Sequence, residues 1–343
     1  MELLCTPEHA PPAAWWEGLA GHAWTVGPAL YGYVRPPGPL WERPFATCVE
    51  DPCLGPVRLR GLLLDHPRAD AVVVVVHGLA GSAESAYCAR AARAAAAAGL
   101  SSLRLSMRGA DLSGEDIVHG GLTADVWAAL AAPELARYRA VLLLGYSAGG
   151  HIALRAAVER RDPRLAAVAA VCPPIDLADA TRALDAPERG IYRRHLFAGL
   201  DAIYERAAAR RRFPVPAARV RRARTLRERD ELTIVPRFGF AGADDYYARA
   251  SVATRLDRLA VPTLVVGSRA DPIVPAAPLE RASGRANPAL TVRWTHGGHV
   301  HFPASLDLGL GGPKGLEPQV MRWLKRAAQP AAMGPTVALT ART

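Results

Sequence analysis

The sequence predicts an α/β fold: a mostly parallel central sheet with helices on both faces and a helical cap insertion at one end. Three observations carry this. From Ala71 onward, short runs that are apolar at every position alternate with helix-length stretches, as in strands buried on both faces. The alternation stops after Cys172 and gives way to a polar, arginine-rich, helical interval at about 173–258. It resumes at PTLVVGSRAD, so the interval is an insertion between two strands of one sheet, placed over their carboxyl ends.

Residues 1 to about 45 are rich in Pro, Gly and Trp with little periodicity, which suits an arm wrapped on the core. FATCVEDPCLGPVRLRGLLL, residues 45–64, holds two strand-like runs around a Pro/Gly turn and predicts a hairpin. AVVVVVHG is a fully apolar strand, and the alanine-rich stretch from Ser85 to Ala98 is a helix ended by Gly99. SSLRLSMRG, AVLLLGYS and LAAVAAVCPP read as further strands, with helices over Thr123 to Leu130 and HIALRAAVERR between them. After the insertion come the strands in PTLVVGSRAD and LTVRWTHGG, and residues 329–343 form a tail. One domain over 46–328 is expected, since 343 residues, half of them hydrophobic, can bury a large core.

Composition excludes several classes. No apolar run approaches the ~20 residues that span a bilayer, and the N-terminus lacks the pattern of a signal peptide, so a cytoplasmic protein is expected. Five scattered cysteines (5, 48, 53, 88 and 172) suit reduced thiols better than a disulfide framework. The formal charge of +10 comes almost wholly from arginine, the only lysines being Lys314 and Lys325. Ten arginines fall between Arg206 and Arg229, inside the insertion.

Chemistry is signalled by LLLGYSAGGHIAL. Gly145-Tyr146-Ser147-Ala148-Gly149 joins a strand to a helix, the context that gives a Gly-x-Ser-x-Gly stretch the meaning of a nucleophile elbow. Glycines are needed there because a Cβ at Gly145 or Gly149 would collide with so sharp a turn. A serine hydroxyl is a weak nucleophile, so a base and an orienting acid are expected later in the chain. Asp271 follows an apolar strand and is the preferred acid, with Asp176 as the alternative. THGGHVHF supplies His296, His299 and His301, of which His299 follows a Gly-Gly pair able to swing it over the sheet edge. Three histidines in this spacing also admit a metal cluster, but no acidic ligand is interleaved; no metal and no organic cofactor are expected. An oxyanion needs two donors, assigned to the backbone N–H of Ala148 and of Leu79, the latter in the turn His77-Gly78-Leu79-Ala80-Gly81. His77 and Gly78 are then loop-shaping residues.

These residues resemble the α/β-hydrolase superfamily and, within it, the YheT-like esterase/lipase family, from about Gly21 to Trp323. GHAWTVGPAL, HGLAGS, MRGADLSG, HGGLTAD, GYSAGG, RTLRERDE, GFAGADDYYARAS, SRADPIVP and THGGHVHF are similar to successive family blocks in the same order. The resemblance implies a triad of Ser147, Asp271 and His299 and hydrolysis of carboxylic esters, of the carboxylesterase or acylglycerol/phospholipid lipase type. The chain departs from the family at Ala80, where an acidic residue is common, at Ala148 (leucine), at His151 (asparagine), and in the longer MRGADLSG. These touch the shape of the pocket, and His151 stands close enough to the elbow to perturb the nucleophile. An acyltransferase or thioesterase on the same triad, or a non-catalytic binding protein on this scaffold, is the alternative.

The expected partner is a small-molecule ester, anionic or lipid-like if the insertion's arginines face it. Peripheral contact with anionic membrane through those arginines is the further expectation. Nucleic acid ranks last, because the arginine run has little aromatic interleaving.

Overall fold

Runs of valine and leucine build the sheet in this computed structural model, which describes residues 40–284 and 287–329. Arg43–Asp51 (β1) and Gly55–Leu64 (β2) pair antiparallel, and Asp51 Oδ1 closes their turn by accepting from the Cys53 and Leu54 amides. Ala71–Val76 (β3), Ser101–Ser106 (β4), Ala140–Tyr146 (β5), Leu165–Val171 (β6), Thr263–Ser268 (β7) and Leu290–Thr295 (β8) follow. The order across the eight-stranded sheet is β1-β2-β4-β3-β5-β6-β7-β8, with β3 to β8 parallel and β2 antiparallel to both neighbours. The arm expected over residues 1–45 lies outside the described residues except for 40–45, of which Arg43 onward begin β1; of the expected tail only Gln329 is described.

Period-two alternation sorts β3 between two cores. Val72, Val74 and Val76 pack toward Ala124–Leu130 (α2) and Ala148–Glu159 (α3). Val73 and Val75 pack on the other face toward Ala86–Ala97 (α1) and Leu316–Ala327 (α11, the last helix). All five valines are fully buried, each worth about 1.5–3 kcal/mol. Both faces are thus covered, as a parallel sheet requires.

Between β6 and β7 the chain runs through Leu177–Asp185 (α4), Gly190–Arg210 (α5), Ala217–Val220 (α6), Leu226–Leu232 (α7), Ile234–Phe238 (α8) and Ala243–Ala250 (α9). Ala277–Ser283 (α10) then lies between β7 and β8. The inserted helices share an apolar cluster of their own, including Ile203, Tyr204, Val220, Ile234 and Tyr246. Their two ends meet at one neck. Ile175 O accepts from the Val252 and Ala253 amides, and Ser251 Oγ accepts from the Leu177 amide. His151 in α3 stands below the neck, its ring nitrogens each 2.9 Å from a carbonyl oxygen, Pro174 on one side and Ala250 on the other. Burial lowers the pKa of this imidazole to about 4, so the ring is neutral and its single N–H donates to one of the two carbonyls at a time; both nitrogens face the neck and not Ser147.

The inserted helices also touch the loops at the strand ends. A Cβ on Gly199 of α5 would come within 2.8 Å of Ala80 Cβ, and a Cβ on Gly114 within 2.6 Å of Arg206 O. Below them lies a buried ionic network. Arg108 donates to Asp51, Asp116 and twice to Asp125, while Arg237 of α8 reaches Asp116 and Asp51. No helix among the described residues is long and apolar enough to cross a membrane.

Candidate active site

The turn after β5 sets the site. Ser147 has φ 52° and ψ −122°, a conformation that L-residues rarely adopt, and its amide is held by Val171 O at 2.8 Å. The flanking glycines are steric requirements. A Cβ on Gly145 would lie 2.2 Å from Gly149 O, and one on Gly149 would lie 2.3 Å from both Val76 O and His77 O. α3 can therefore start against the end of β3 only if Gly149 carries no side chain.

Asp271 and His299 reach the same rim from the loops after β7 and β8. His299 Nε2 is 2.8 Å from Ser147 Oγ, and His299 Nδ1 is 2.7 Å from Asp271 Oδ2. An ionised carboxylate only accepts, so Nδ1 carries the hydrogen and Nε2 is free to accept the serine proton. The other Asp271 oxygen accepts from the Ile273 and Val274 amides at 2.7 and 3.0 Å, which fixes the carboxylate plane. Gly298, with φ 81°, makes the turn that presents His299; a Cβ there would lie 2.1 Å from His301 O.

The remaining candidates separate. Asp176 caps α4 by accepting from the Asp179 amide, while His299 Nδ1 bonds Asp271. His296 is exposed, whereas His301 is buried with neither ring nitrogen hydrogen-bonded and its ring edge-on to Tyr87. Burial drives His301 down to a pKa of about 3. The three histidines of THGGHVHF thus face different surroundings. Among the described residues the group with three metal-type ligand atoms within 4.8 Å is Cys172, Asp271 and His299, two of which already bond each other.

The turn after β3 lies against the serine. A Cβ on Gly78 would be 3.2 Å from Ser147 Cβ, and the Gly78 amide donates to Tyr87 Oη at 3.0 Å. His77 braces this turn: Nδ1–H donates to Gly78 O at 2.8 Å, and Nε2 accepts from the Met107 amide at 3.1 Å. Its burial, partly offset by the Gly78 carbonyl, lowers its pKa to about 4, so it stays neutral. Leu79 and Ala148 line one cavity of about 20 Å³ with Gly78, Met107, His119 and Ile152. Neither the Leu79 nor the Ala148 amide has a hydrogen-bond partner among the described residues. Ala148 opens α3, where first-turn amides have no partner within the helix and the dipole favours negative charge.

Two contributors carried no sequence signal of their own. Tyr87 fixes the Gly78 amide from the first turn of α1, and its spacing from HGLAGS is no motif. Cys172, left-handed with φ 45° at the end of β6, brings its thiol beside Asp271, and burial pushes that thiol far up.

Residues 67–299 match the family described as "Serine aminopeptidase, S33". The chain is 31% identical over 263 residues to the Escherichia coli (strain K12) protein named "Putative esterase YheT", with 74% of each chain covered. It is 36% identical over 85 residues to "Phospholipase ABHD3" of Homo sapiens, 24% of this chain and 20% of that one. Among solved structures, the Pyrococcus furiosus esterase Pf2001 aligns with a TM-score of 0.53 over 84% of this chain and 91% of its own, at 16% identity, a likeness of fold.

Proposed function

The chain belongs to the α/β-hydrolase esterase family, and from that premise we propose that it cleaves carboxylic esters through an acyl-enzyme on Ser147. His299 Nε2 takes the Ser147 proton as Oγ attacks the ester carbonyl carbon, and then passes it to the departing alkoxide oxygen. Water repeats the sequence on the acyl-serine, returning the carboxylic acid and the free hydroxyl. Asp271 keeps the imidazole in the tautomer that accepts at Nε2 and stabilises it while charged. The Leu79 and Ala148 amides hold the negative oxygen of each tetrahedral intermediate, an interaction of about 3–4 kcal/mol per donor. The reading rests above all on the unbroken relay from Ser147 Oγ through His299 to Asp271, on a serine held at positive φ.

We further propose that 173–258 acts as the cap of this site within a single domain over 46–328, since α5 abuts the Ala80 turn. The ten arginines from Arg206 to Arg229 divide into two sets. Arg210, Arg211, Arg221, Arg227 and Arg229 pair with carboxylates, and Arg229 is buried against Asp201. Arg206, Arg212, Arg219, Arg222 and Arg224 are exposed with no ion pair among the described residues. This second set and the phospholipase-named relative favour an anionic or lipid-like ester and contact with anionic membrane.

Hydrolysis of a chain-length series of p-nitrophenyl esters tests the chemistry. Turnover by the native protein and its loss in Ser147→Ala are expected; equal rates in both would dismiss it.

A further inference from the structure

His119 lies on the wall of the cavity that Leu79 and Ala148 also line, and the mechanism above leaves it without a task. Its Nδ1 accepts from the Gly121 amide at 3.0 Å, and a backbone amide can only donate, so Nδ1 is unprotonated and the ring hydrogen sits on Nε2. That N–H meets no acceptor among the described residues. Nor is it sealed inside protein, unlike the two nitrogens of His301, so it opens on free space. The ring is clamped from the inserted helices, edge-on to Phe238, Phe240 and Tyr246 at centroid distances of 4.4, 5.5 and 5.5 Å. Tyr246 Oη also takes the Gly120 amide at 2.9 Å, fixing the backbone next to the ring. A rigid ring, with its tautomer set by its own loop, thus lines a space of about 20 Å³, about the room one oxygen-sized group needs.

We propose that His119 is a catalytic residue of this site, its Nε2–H being a third donor, beside Leu79 N–H and Ala148 N–H, to the substrate's carbonyl oxygen as it becomes an oxyanion. The proposal rests on the serine-hydrolase reading. No bond to His119 forms or breaks; it lends a hydrogen bond that strengthens as charge develops on that oxygen. Because Phe238, Phe240 and Tyr246 hold the ring, the inserted helices take part in building the oxyanion pocket.

Two substitutions divide the ring's functions. His119→Asn keeps an acceptor near the Nδ1 position for the Gly121 amide and lacks the distal donor. His119→Gln places an amide N–H near the Nε2 position and forfeits the Gly121 bond. With p-nitrophenyl butyrate, His119→Asn is expected to lose about 100-fold in kcat with little change in KM, and to react about 100-fold more slowly with a fluorophosphonate, whose phosphoryl oxygen occupies the same pocket. His119→Gln is expected to stay within about tenfold of native. If native protein is active and His119→Asn matches it, or both variants fall equally, the third-donor role is overturned while the serine chemistry stands. If native protein is inert toward both ester and fluorophosphonate, the serine reading itself fails and the proposal falls with it.

Discussion

Arg237, in the helical segment between β6 and β7, grips Asp116, in the loop after β4, through Nε at 2.9 Å and Nη2 at 2.7 Å, and both side chains are buried. Arg237 also reaches Asp51 of the β1–β2 turn, which Arg108 contacts from below. One cluster therefore ties the inserted helices, the β4 loop and the sheet edge. A buried ion pair adds little over a well-packed apolar one, but removing one partner strands a charge. Arg237→Met should cost about 3–5 kcal/mol, read as a lowered midpoint in thermal or urea unfolding. A variant as stable as native would show the cluster to be dispensable.

Asp51 gives that cluster an acid limit. Burial, which acts to raise its pKa, is outweighed by the Cys53 amide, Arg237 and Arg108, and the value falls from 3.8 to about 2. The folded carboxylate holds its proton less tightly than the unfolded one. Its contribution, about 2 kcal/mol, is complete above about pH 4 and is lost as the pH falls through about 2. Urea midpoints measured down through this window should fall more steeply in native protein than in Asp51→Asn.

Asp230 has the opposite sign. Burial raises its carboxyl from 3.8 to about 7, against the Tyr247 hydroxyl and the Arg229 charge. Between those values the unfolded chain gives up a proton that the folded chain keeps, so stability present below about pH 4 is lost as the pH rises through about 7. Asp230→Asn should be more stable than native at pH 8 by about 2–4 kcal/mol, with the gain vanishing toward pH 4.

Much of this was legible in the sequence because it lies in local pattern. The apolar runs at Ala71–Val76 and Ala140–Tyr146 are strands, and the lapse of alternation after Cys172 marks the inserted helices. Gly145 could be read as obligatory because its steric demand, from Gly149 and Gly150, arises within a few residues; at Gly149 the enforcing atoms belong to Val76 and His77, where β3 ends, and only the motif points to it. The ionic cluster was not legible: Asp51 and Arg237 lie 57 and 121 residues from their partners Arg108 and Asp116, and the group meets only in three dimensions. The same holds for His119, whose meaning comes from the inserted helices packed on it; Asp271, by contrast, is already preferred over Asp176 in the sequence because an apolar strand and an Asp-Pro turn frame it.

That last contrast is open to a paired test. Asp271→Asn preserves size while removing the acceptor that fixes the His299 tautomer, and kcat should fall on the order of 10⁴-fold. Asp176→Ala removes a helix cap, costing about 1 kcal/mol of stability and leaving turnover unchanged. Reversal of the two phenotypes would reassign the acid.

Gly149→Ala probes the elbow itself. With two carbonyl oxygens 2.3 Å from the new Cβ, α3 would have to shift off the end of β3. A loss of about 3 kcal/mol or more, together with loss of esterase activity in whatever protein stays folded, is expected; an active, fully stable variant would mean that the turn yields.

The most direct measurement is fluorophosphonate labelling mapped by mass spectrometry on native protein, Ser147→Ala and His299→Ala. The relay of 2.8 and 2.7 Å predicts a single adduct on Ser147 in native protein and none in either variant. Folded native protein that stays unlabelled, or a Ser147 that reacts equally well without His299, would contradict it.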